Sequence, residues 1–325
     1  MPFSTLAGNE RIKRLFKRAV AENRIRQGLI LAGPAGVGKY RFALALAQAL
    51  NCERATDGDA CGQCSSCKRI VSGEHLAVQV YQPEGQFIKI ERMRDLSREA
   101  YKQPPEGRRS VYIIDQADRL NESAANSILK TLEEPPETSQ LLLITSRPYA
   151  LLETIRSRCQ TLVFAPLTPE ELEAFLRSHF KRPVEEIRLL ARLSRGSIGR
   201  ALEIDLGEYR EKRQVMLEMV SALGVPRDGL RLMSAAEYLG RKLDREEFEK
   251  HIEVLMVLLK DLFYIKAGQS PESLTNRDIA EQLARVCETA TLEQVMDWVD
   301  KIERVMRGLP RNINRQLALE SVLIN

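Results

Sequence analysis

The stretch GLILAGPAGVGK, residues 28–39, begins with a short apolar run and ends in a loop that contains three glycines. A short run of apolar residues is typical of a strand that is buried on both faces of a sheet. Apolar residues then recur at helical spacing from Phe42 to Leu50, which predicts a helix that begins near Lys39. The order of strand, glycine loop and helix indicates a parallel sheet covered by helices.

Two further apolar runs, at 111–115 and 141–145, predict more strands of the same sheet. The alternation of strands and helices stops near residues 166–169, where Thr168 is the predicted cap of a new helix. Helical patterns continue from there to the end of the chain, with an interruption at Gly224-Val225-Pro226. An apolar stripe between Ile252 and Phe263 predicts packing between helices.

Composition excludes several classes of protein. The 325 residues are 44% hydrophobic and 29% charged, which is typical of a globular chain of two or three domains and not of a disordered one. No apolar run reaches the roughly 20 residues that a membrane span needs, and the first residues lack the pattern of a secretory signal, so we expect a cytoplasmic location. The net charge of +4 comes from 49 basic and 45 acidic residues and does not by itself indicate nucleic-acid binding.

The loop from Gly33 to Lys39 fits the phosphate-binding pattern G-x-x-x-x-G-K. Glycines at Gly33, Gly36 and Gly38 let backbone N–H groups face phosphate oxygens, and the start of the next helix adds partial positive charge. The Lys39 ammonium would reach the outer phosphates. The sequence therefore predicts a nucleotide site, or the remnant of one, at this loop.

Two substitutions in this site predict that hydrolysis has been lost. The position after Lys39 should be Ser or Thr, whose hydroxyl binds Mg²⁺, but it is Tyr40, whose phenol is too long and rigid. The second strand ends in Asp115 and Gln116, where an active ATPase needs Asp followed by Glu to polarise the attacking water. Because the glycines and Lys39 remain intact, binding of ATP and Mg²⁺ without hydrolysis is left open.

Four of the six cysteines crowd into one segment, as Cys52, Cys61, Cys64 and Cys67. Four thiolates at such short spacings can close a tetrahedron around Zn²⁺ and leave no open position for catalysis. An iron–sulfur cluster also uses C-x₂-C-x₂-C, but its usual continuation is absent here. The pattern favours a structural zinc module at 52–67, with iron–sulfur or free thiols as the alternatives, and His75 as a bystander.

Three strings of residues resemble the clamp-loader branch of the AAA+ ATPases. They are IDQAD at 114–118, SILKTLEEPP at 127–136 and RSRC at 156–159. The resemblance covers nearly the whole chain, and the LEEPP and SRC strings are far more specific than a phosphate loop alone.

The resemblance implies roles for three further positions. Arg158 corresponds to the arginine finger that reaches into a neighbour's ATP site, where its fork of donors suits a γ-phosphate. Thr145 corresponds to the polar sensor at the end of the third strand. The family's second sensor is an arginine in a Gly-Ser-x-Arg motif, but here that position is Gly199, and Arg200 lies about a hundred degrees further round the helix.

The resemblance also implies an architecture and partners. We expect a RecA-like α/β AAA+ domain at 1–166 with helices on both faces of a parallel sheet, a small helical lid at 167–207 and an all-α collar domain at 208–325. The chain would be a stator in a pentameric ring with gamma/tau-like motor subunits and a delta-like subunit. It would meet the sliding clamp indirectly and primed DNA through the complex, with no role for a membrane.

Two other functions stay open at this point. The chain could be an active clamp-loader motor that has replaced its missing groups, which ATP turnover by the chain alone would reveal. It could also be a nucleic-acid-binding protein that uses its zinc module, and the near-balanced charge argues against this.

Overall fold

The computed structural model describes residues 1–223, 233–234, 236–309 and 314–323, and it divides into two compact units, Met1–Glu203 and Ile204–Asn325. The predicted boundaries at 166 and 207, which would separate three domains, stay a prediction. The predicted interruption at 224–226 lies outside the described residues. Among the described residues, no helix combines the length and the apolar character that crossing a membrane requires.

The first part of unit one alternates strands and helices, which is the order predicted for an α/β sheet. Its elements are α1 Glu10–Ala21, β1 Gly28–Ala32, α2 Lys39–Asn51, α3 Ser65–Ser72, β2 Val78–Tyr81, α4 Ile90–Ala100, β3 Ser110–Ile114, α5 Glu122–Ser127, α6 Leu129–Glu133, β4 Ser139–Thr145, α7 Glu153–Arg156 and β5 Gln160–Val163.

The five strands pair in parallel in the order β2-β3-β4-β1-β5. The register of the central pair aligns Gly28 with Leu141 and Ala32 with Thr145, so β1 and β4 end at the same edge. The three strands predicted from apolar runs are confirmed as β1, β3 and β4, all of them buried along their whole length. Loops that follow the carboxyl ends of these strands therefore meet at one edge of the sheet.

Helices cover both faces of the sheet, as predicted for this fold class. One buried cluster joins one face to α1, α2 and α3 through apolar side chains that include Phe16, Phe42 and Ile70. The other buried cluster joins the opposite face to α4, α5 and α7, with Leu96 and Ile155 among its members. The α2 helix begins at Lys39, where the sequence predicts it, and is buried on nearly every side.

The rest of unit one is helical, with α8 Pro169–His179, α9 Val184–Leu193 and α10 Ile198–Glu203. The predicted cap at Thr168 is confirmed: the Glu171 N–H donates to Thr168 Oγ1 at 3.2 Å, and the Thr168 N–H donates to Glu171 Oε2 at 2.9 Å. This reciprocal pair satisfies two backbone donors at the start of α8.

Unit two is helical throughout its described residues. Its helices are α11 Leu206–Leu223, α12 Arg245–Lys266, α13 Ala280–Thr289, α14 Leu292–Gly308 and α15 Arg315–Leu323. The predicted apolar stripe between Ile252 and Phe263 lies in α12; its members up to Leu262 are buried and Phe263 is half-buried, which confirms its predicted role in helix packing. Asp261 is also fully buried in α12, where it accepts hydrogen bonds from the N–H groups of Thr275 and Asn276.

Candidate functional site

The glycine loop between β1 and α2 takes the shape that its sequence predicts. Gly33, Gly36 and Gly38 all have positive φ angles, of 149°, 72° and 95°. A Cβ atom at Gly33 would lie 2.5 Å from the carbonyl oxygen of Phe164, so a larger residue would clash there. These positions require glycine because other residues rarely adopt this backbone conformation.

The loop forms one wall of a cavity of about 920 Å³ within unit one. The structure brings five of the six predicted nucleotide-site residues together in its lining, while Gly33 lies outside the lining and accepts a hydrogen bond from Lys39. The five are Gly36, Gly38, Lys39, Asp115 and Thr145. The other walls include the start of the chain, from Met1 to Ala7, and parts of α8 and α10.

The Lys39 ammonium bonds to its own loop. Its Nζ donates at 2.6 Å to the carbonyl oxygens of both Gly33 and Pro34, and the residue is only 6% exposed. Burial lowers the pKa of Lys39, while the carboxylates of Asp115 and Asp118 oppose that shift. The ammonium group that would bind the outer phosphates is therefore hydrogen-bonded to carbonyl groups of the loop.

Tyr40 and Asp115 line the same cavity, at the place where Mg²⁺ would be bound. Burial raises the pKa of Tyr40 and the nearby Asp115 charge raises it further, so the phenol stays neutral and offers no anionic ligand. Asp115 accepts a hydrogen bond from the Gln116 N–H at 3.0 Å, and a longer one from the Gln82 amide at 3.4 Å. Gln116 follows with a positive φ of 53°.

The predicted sensor Thr145 is occupied by contacts inside the chain. Its hydroxyl donates to Asp118 Oδ1 at 2.7 Å and accepts from the Arg147 N–H at 2.9 Å. The Arg147 guanidinium also donates twice to Asp118 Oδ2, at 2.9 and 2.7 Å. Although burial opposes ionisation, the hydrogen bonds from Thr145 and Arg147 hold the pKa of Asp118 below its usual value.

Sequence reasoning assigned no role to Asp118 or Arg147. Asp118 stands in the IDQAD string and Arg147 two residues after Thr145, so position relative to these motifs was the available signal. Their pairing could not be predicted, because it depends on how the ends of β3 and β4 meet.

The glycine loop is in direct contact with the start of α10. The Gly199 N–H donates to the carbonyl oxygen of Gly36 at 2.9 Å. A Cβ atom at Gly199 would lie 3.0 Å from the Cα of Gly36, and one at Gly36 would lie 2.2 Å from Ser197 Oγ. A side chain at position 199 would require the Gly36 backbone to shift slightly, so this arrangement of the loop and α10 favours glycine there.

Arg158 lies just after α7, outside the cavity lining, with its side chain on the surface. Its Nε and Nη2 donate to the same oxygen of Glu133, at 2.9 and 2.5 Å. Its Nη1 donates to the Thr154 carbonyl at 2.9 Å and to Ser157 Oγ at 3.2 Å. The guanidinium is therefore exposed but fully oriented by its own chain.

The four clustered cysteines converge on one point beside α2 and α3. Their sulfur atoms all lie within 4.8 Å of one another, with 3.9 Å between those of Cys52 and Cys64. Metal–sulfur bonds of about 2.3 Å in a tetrahedron require sulfur atoms about 3.8 Å apart, so the four ligands fit a tetrahedral metal ion. His75 is not part of this group; its Nε2 lies 3.0 Å from Ser66 Oγ.

Backbone donors surround these sulfur atoms, as expected where thiolates bind a metal. The N–H groups of Gln63 and Cys64 point at the Cys61 sulfur, at 3.5 and 3.3 Å. These two contacts lower the pKa of Cys61 to about 6. Burial raises the pKa of the Cys52 and Cys67 thiols, so a metal ion would have to displace their protons when it binds.

Two family models match the chain. Residues 8–168 match the model described as "DNA polymerase III, delta subunit", and residues 231–325 match "DNA polymerase III, delta subunit, C terminal".

Curated relatives agree with these models. The DNA polymerase III subunit delta' of Bacillus subtilis (strain 168) is 29% identical over 315 residues, which span 97% of this chain and 94% of that protein. The delta' subunit of Pseudomonas aeruginosa is 30% identical over 304 residues, 91% of this chain and 90% of that protein. The DNA polymerase III subunit tau of Escherichia coli (strain K12) is 33% identical over 227 residues, 68% of this chain and 35% of that protein.

Proposed function

Because this chain belongs to the family of DNA polymerase III delta' subunits, we propose that it is a clamp-loader subunit that does not hydrolyse ATP. Its contribution is Arg158, which it presents as an arginine finger to the ATP site of a neighbouring subunit. Hydrolysis in that neighbour drives loading of the sliding clamp onto primed DNA during replication.

The observation that carries this proposal is that the chain's own site keeps Lys39 and Asp115 but lacks three of the groups that hydrolysis needs. Lys39 and Thr145 bond inside the chain, and the second-sensor position is a glycine pressed against the loop. Tyr40 and Gln116 replace the hydroxyl and the carboxylate that catalysis needs. The site therefore has the shape of a nucleotide pocket without its chemistry.

Arg158 has the properties that a finger requires. Its planar guanidinium is always charged and can donate two hydrogen bonds at once to phosphate oxygens. It lies on the surface, where another subunit can reach it, and Glu133 and Thr154 fix its direction. An exposed arginine so firmly oriented is suited to complete a site on another chain.

The partners follow from the family. We propose gamma/tau-like motor subunits and a delta-like subunit as neighbours in a ring of five, with the helical residues from 208 onward as the collar. The α8–α10 segment would serve as the lid, within the predicted range 167–207. Contact with the sliding clamp would be indirect, and contact with primed DNA would occur through the complex.

The cysteine cluster is proposed to hold zinc. Four thiolates that fill a tetrahedron suit a closed structural site, and zinc supplies rigidity there while it leaves no position for a substrate. Cys52, Cys61, Cys64 and Cys67 would be its ligands.

The test is a rebuilt loader in which this chain carries Arg158→Ala. Loss of an arginine finger reduces hydrolysis at the adjacent site by roughly 10³-fold or more, so ATP turnover stimulated by DNA and clamp should lose the contribution of that site. Arg158→Lys should recover little, because an ammonium lacks the planar fork.

Arg98→Ala is the matched control, since Arg98 is an exposed arginine on α4 that pairs with Asp95 of the same helix. It should leave turnover at the wild-type level. Full stimulated turnover in the Arg158→Ala loader would refute the finger role.

A further inference from the structure

The first residues of the chain form part of the nucleotide cavity. Met1, Thr5, Leu6 and Ala7 line it opposite the glycine loop. Between them, the Phe3 ring is fully buried and packs on Phe16, with ring centroids 5.5 Å apart. This segment, residues 1–7, is called the N-terminal wall below.

The backbone of the N-terminal wall is attached to the cysteine module by one carboxylate. Asp59 Oδ1 accepts from the Phe3 N–H at 2.8 Å, and Asp59 Oδ2 accepts from the Ser4 N–H at 3.2 Å. The Lys17 ammonium, on α1, lies 2.8 Å from the same Oδ2. Asp59 thus joins the wall, α1 and the module at one point.

A second link attaches the very start of the chain. The Met1 ammonium donates to Gln48 Oε1 at 2.6 Å, and the Gln48 amide donates to the carbonyl oxygen of Cys67 at 2.6 Å. The module also touches the wall directly, because a Cβ atom at Gly62 would lie 3.1 Å from Pro2 Cδ. Asp59, Gly62 and Cys67 thus contact the wall or its link from within the module, whereas Gln48 lies on α2.

The position of Asp59 depends on the fold of the loop between Cys52 and Cys61. Residues 53–60 form no helix or strand, so their path is set by the two cysteines at their ends and by a short bridge between Thr56 and Asp59. Gly58 fits this path tightly, since a Cβ atom there would lie 1.9 Å from the Lys17 carbonyl oxygen. Fixing the two ends of a loop lowers the conformational entropy that is lost when the loop is ordered.

We propose that the cysteine module is the anchor of the N-terminal wall: with its metal bound, it fixes Asp59, and Asp59 fixes the wall against the nucleotide cavity. The inference rests on the metal site proposed above and gives that site a purpose. Loss of the metal would free the loop at 53–60, release the amides of Phe3 and Ser4 and loosen one side of the cavity.

The test is hydrogen–deuterium exchange of the full chain, measured on the N-terminal peptide. In Asp59→Ala, the Phe3 and Ser4 amides should exchange at least about tenfold faster, the factor expected when a charge-assisted hydrogen bond is lost. Zinc content should stay unchanged in this variant. Wild-type chain stripped of zinc by a coloured chelator should show the same increase. Amides of β4 serve as the internal reference and should not change.

Asp57→Asn is the matched control, because Asp57 is an exposed carboxylate of the same loop and makes none of these contacts. It should exchange like wild type. Protection of Phe3 and Ser4 that survives either Asp59→Ala or removal of zinc would overturn the inference. If stripping unfolds the reference strand, Asp59→Ala with its zinc in place still decides whether Asp59 holds the wall. A purified chain that contains no zinc before any chelator is added would instead refute the metal site itself.

Discussion

Gly199 stands where the family's second-sensor arginine would be, and its backbone contacts the glycine loop. The family resemblance expects an arginine at this position, and the structure has a backbone contact there, with the Gly199 N–H on the Gly36 carbonyl. A side chain at 199 would press on the Gly36 backbone, because its Cβ atom would lie 3.0 Å from the Cα of Gly36. We infer that the chain exchanged a phosphate contact for a closed contact between the loop and α10.

Gly199→Ala should therefore destabilise the chain, although alanine normally stabilises a helix relative to glycine by about 1 kcal/mol. Overpacking against the Gly36 backbone costs about 1–3 kcal/mol, so the free energy of unfolding in urea should fall. Gly207→Ala, at the start of α11, is the control, since a Cβ atom at Gly207 would meet only the flexible carboxylate of Asp205. Equal stability of both variants would contradict the close contact at Gly199.

Glu133 accepts from the Arg158 guanidinium, so under the proposed finger role it would compete with a phosphate for these donors. Glu133→Gln keeps an acceptor but removes the charge that holds Nε and Nη2, and a hydrogen bond to a charged group is worth about 1.5–3 kcal/mol. If Arg158 acts as the finger, ATP turnover by the loader without DNA or clamp should rise severalfold, measured beside Glu134→Gln as the neighbour in the same motif. Unchanged or lower turnover would show that Glu133 does not restrain the finger.

At the scale of elements, the cysteine module is the part whose stability would depend on the proposed metal. Cys64 caps α3, and Cys67 lies inside it, so a bound metal would fix the start of that helix. Cys64→Ser should lose the metal and lower the free energy of unfolding by at least about 4 kcal/mol, the effect of a ligand present at a thousand times its Kd. Cys287→Ser, in unit two, should keep full metal content. Metal analysis and urea unfolding check both variants.

The start of α8 was predictable from four residues alone. Thr168 and Glu171 form the reciprocal cap that the Ser/Thr-x-x-Glu pattern indicates. Thr168→Ala should lower the free energy of unfolding by about 1 kcal/mol, whereas Thr168→Ser should keep most of it. An alanine variant as stable as wild type would mean that this cap contributes nothing.

Strands differed in how well the sequence predicted them. The central strands β1, β3 and β4 are buried on both faces, so each gives a continuous apolar run that periodicity detects. The two edge strands were missed. In β2, Gln79 interrupts the apolar residues, and in β5 three of four residues are exposed, so neither segment has the pattern of a buried strand.

For the molecule as a whole, the parts of the site that lie in one motif were predictable. The glycine loop, Tyr40 and Gln116 can be compared with a known pattern position by position, and the four cysteines have spacings that indicate a metal. The contacts of Gly199 with Gly36, of Arg147 with Asp118 and of Asp59 with Phe3 join distant segments. They depend on the packing of the α/β AAA+ fold, and patterns of neighbouring residues in one sequence do not indicate which distant residues will meet.

The central claim is that the nucleotide pocket of this chain kept its fold and lost its catalysis. The most direct measurement is magnesium-dependent ATP turnover by the purified chain alone, compared with the same chain carrying Lys39→Ala. The two proteins should show equal turnover, indistinguishable from a blank without protein. Steady hydrolysis by the wild-type chain that Lys39→Ala abolishes would contradict the claim and identify an active motor.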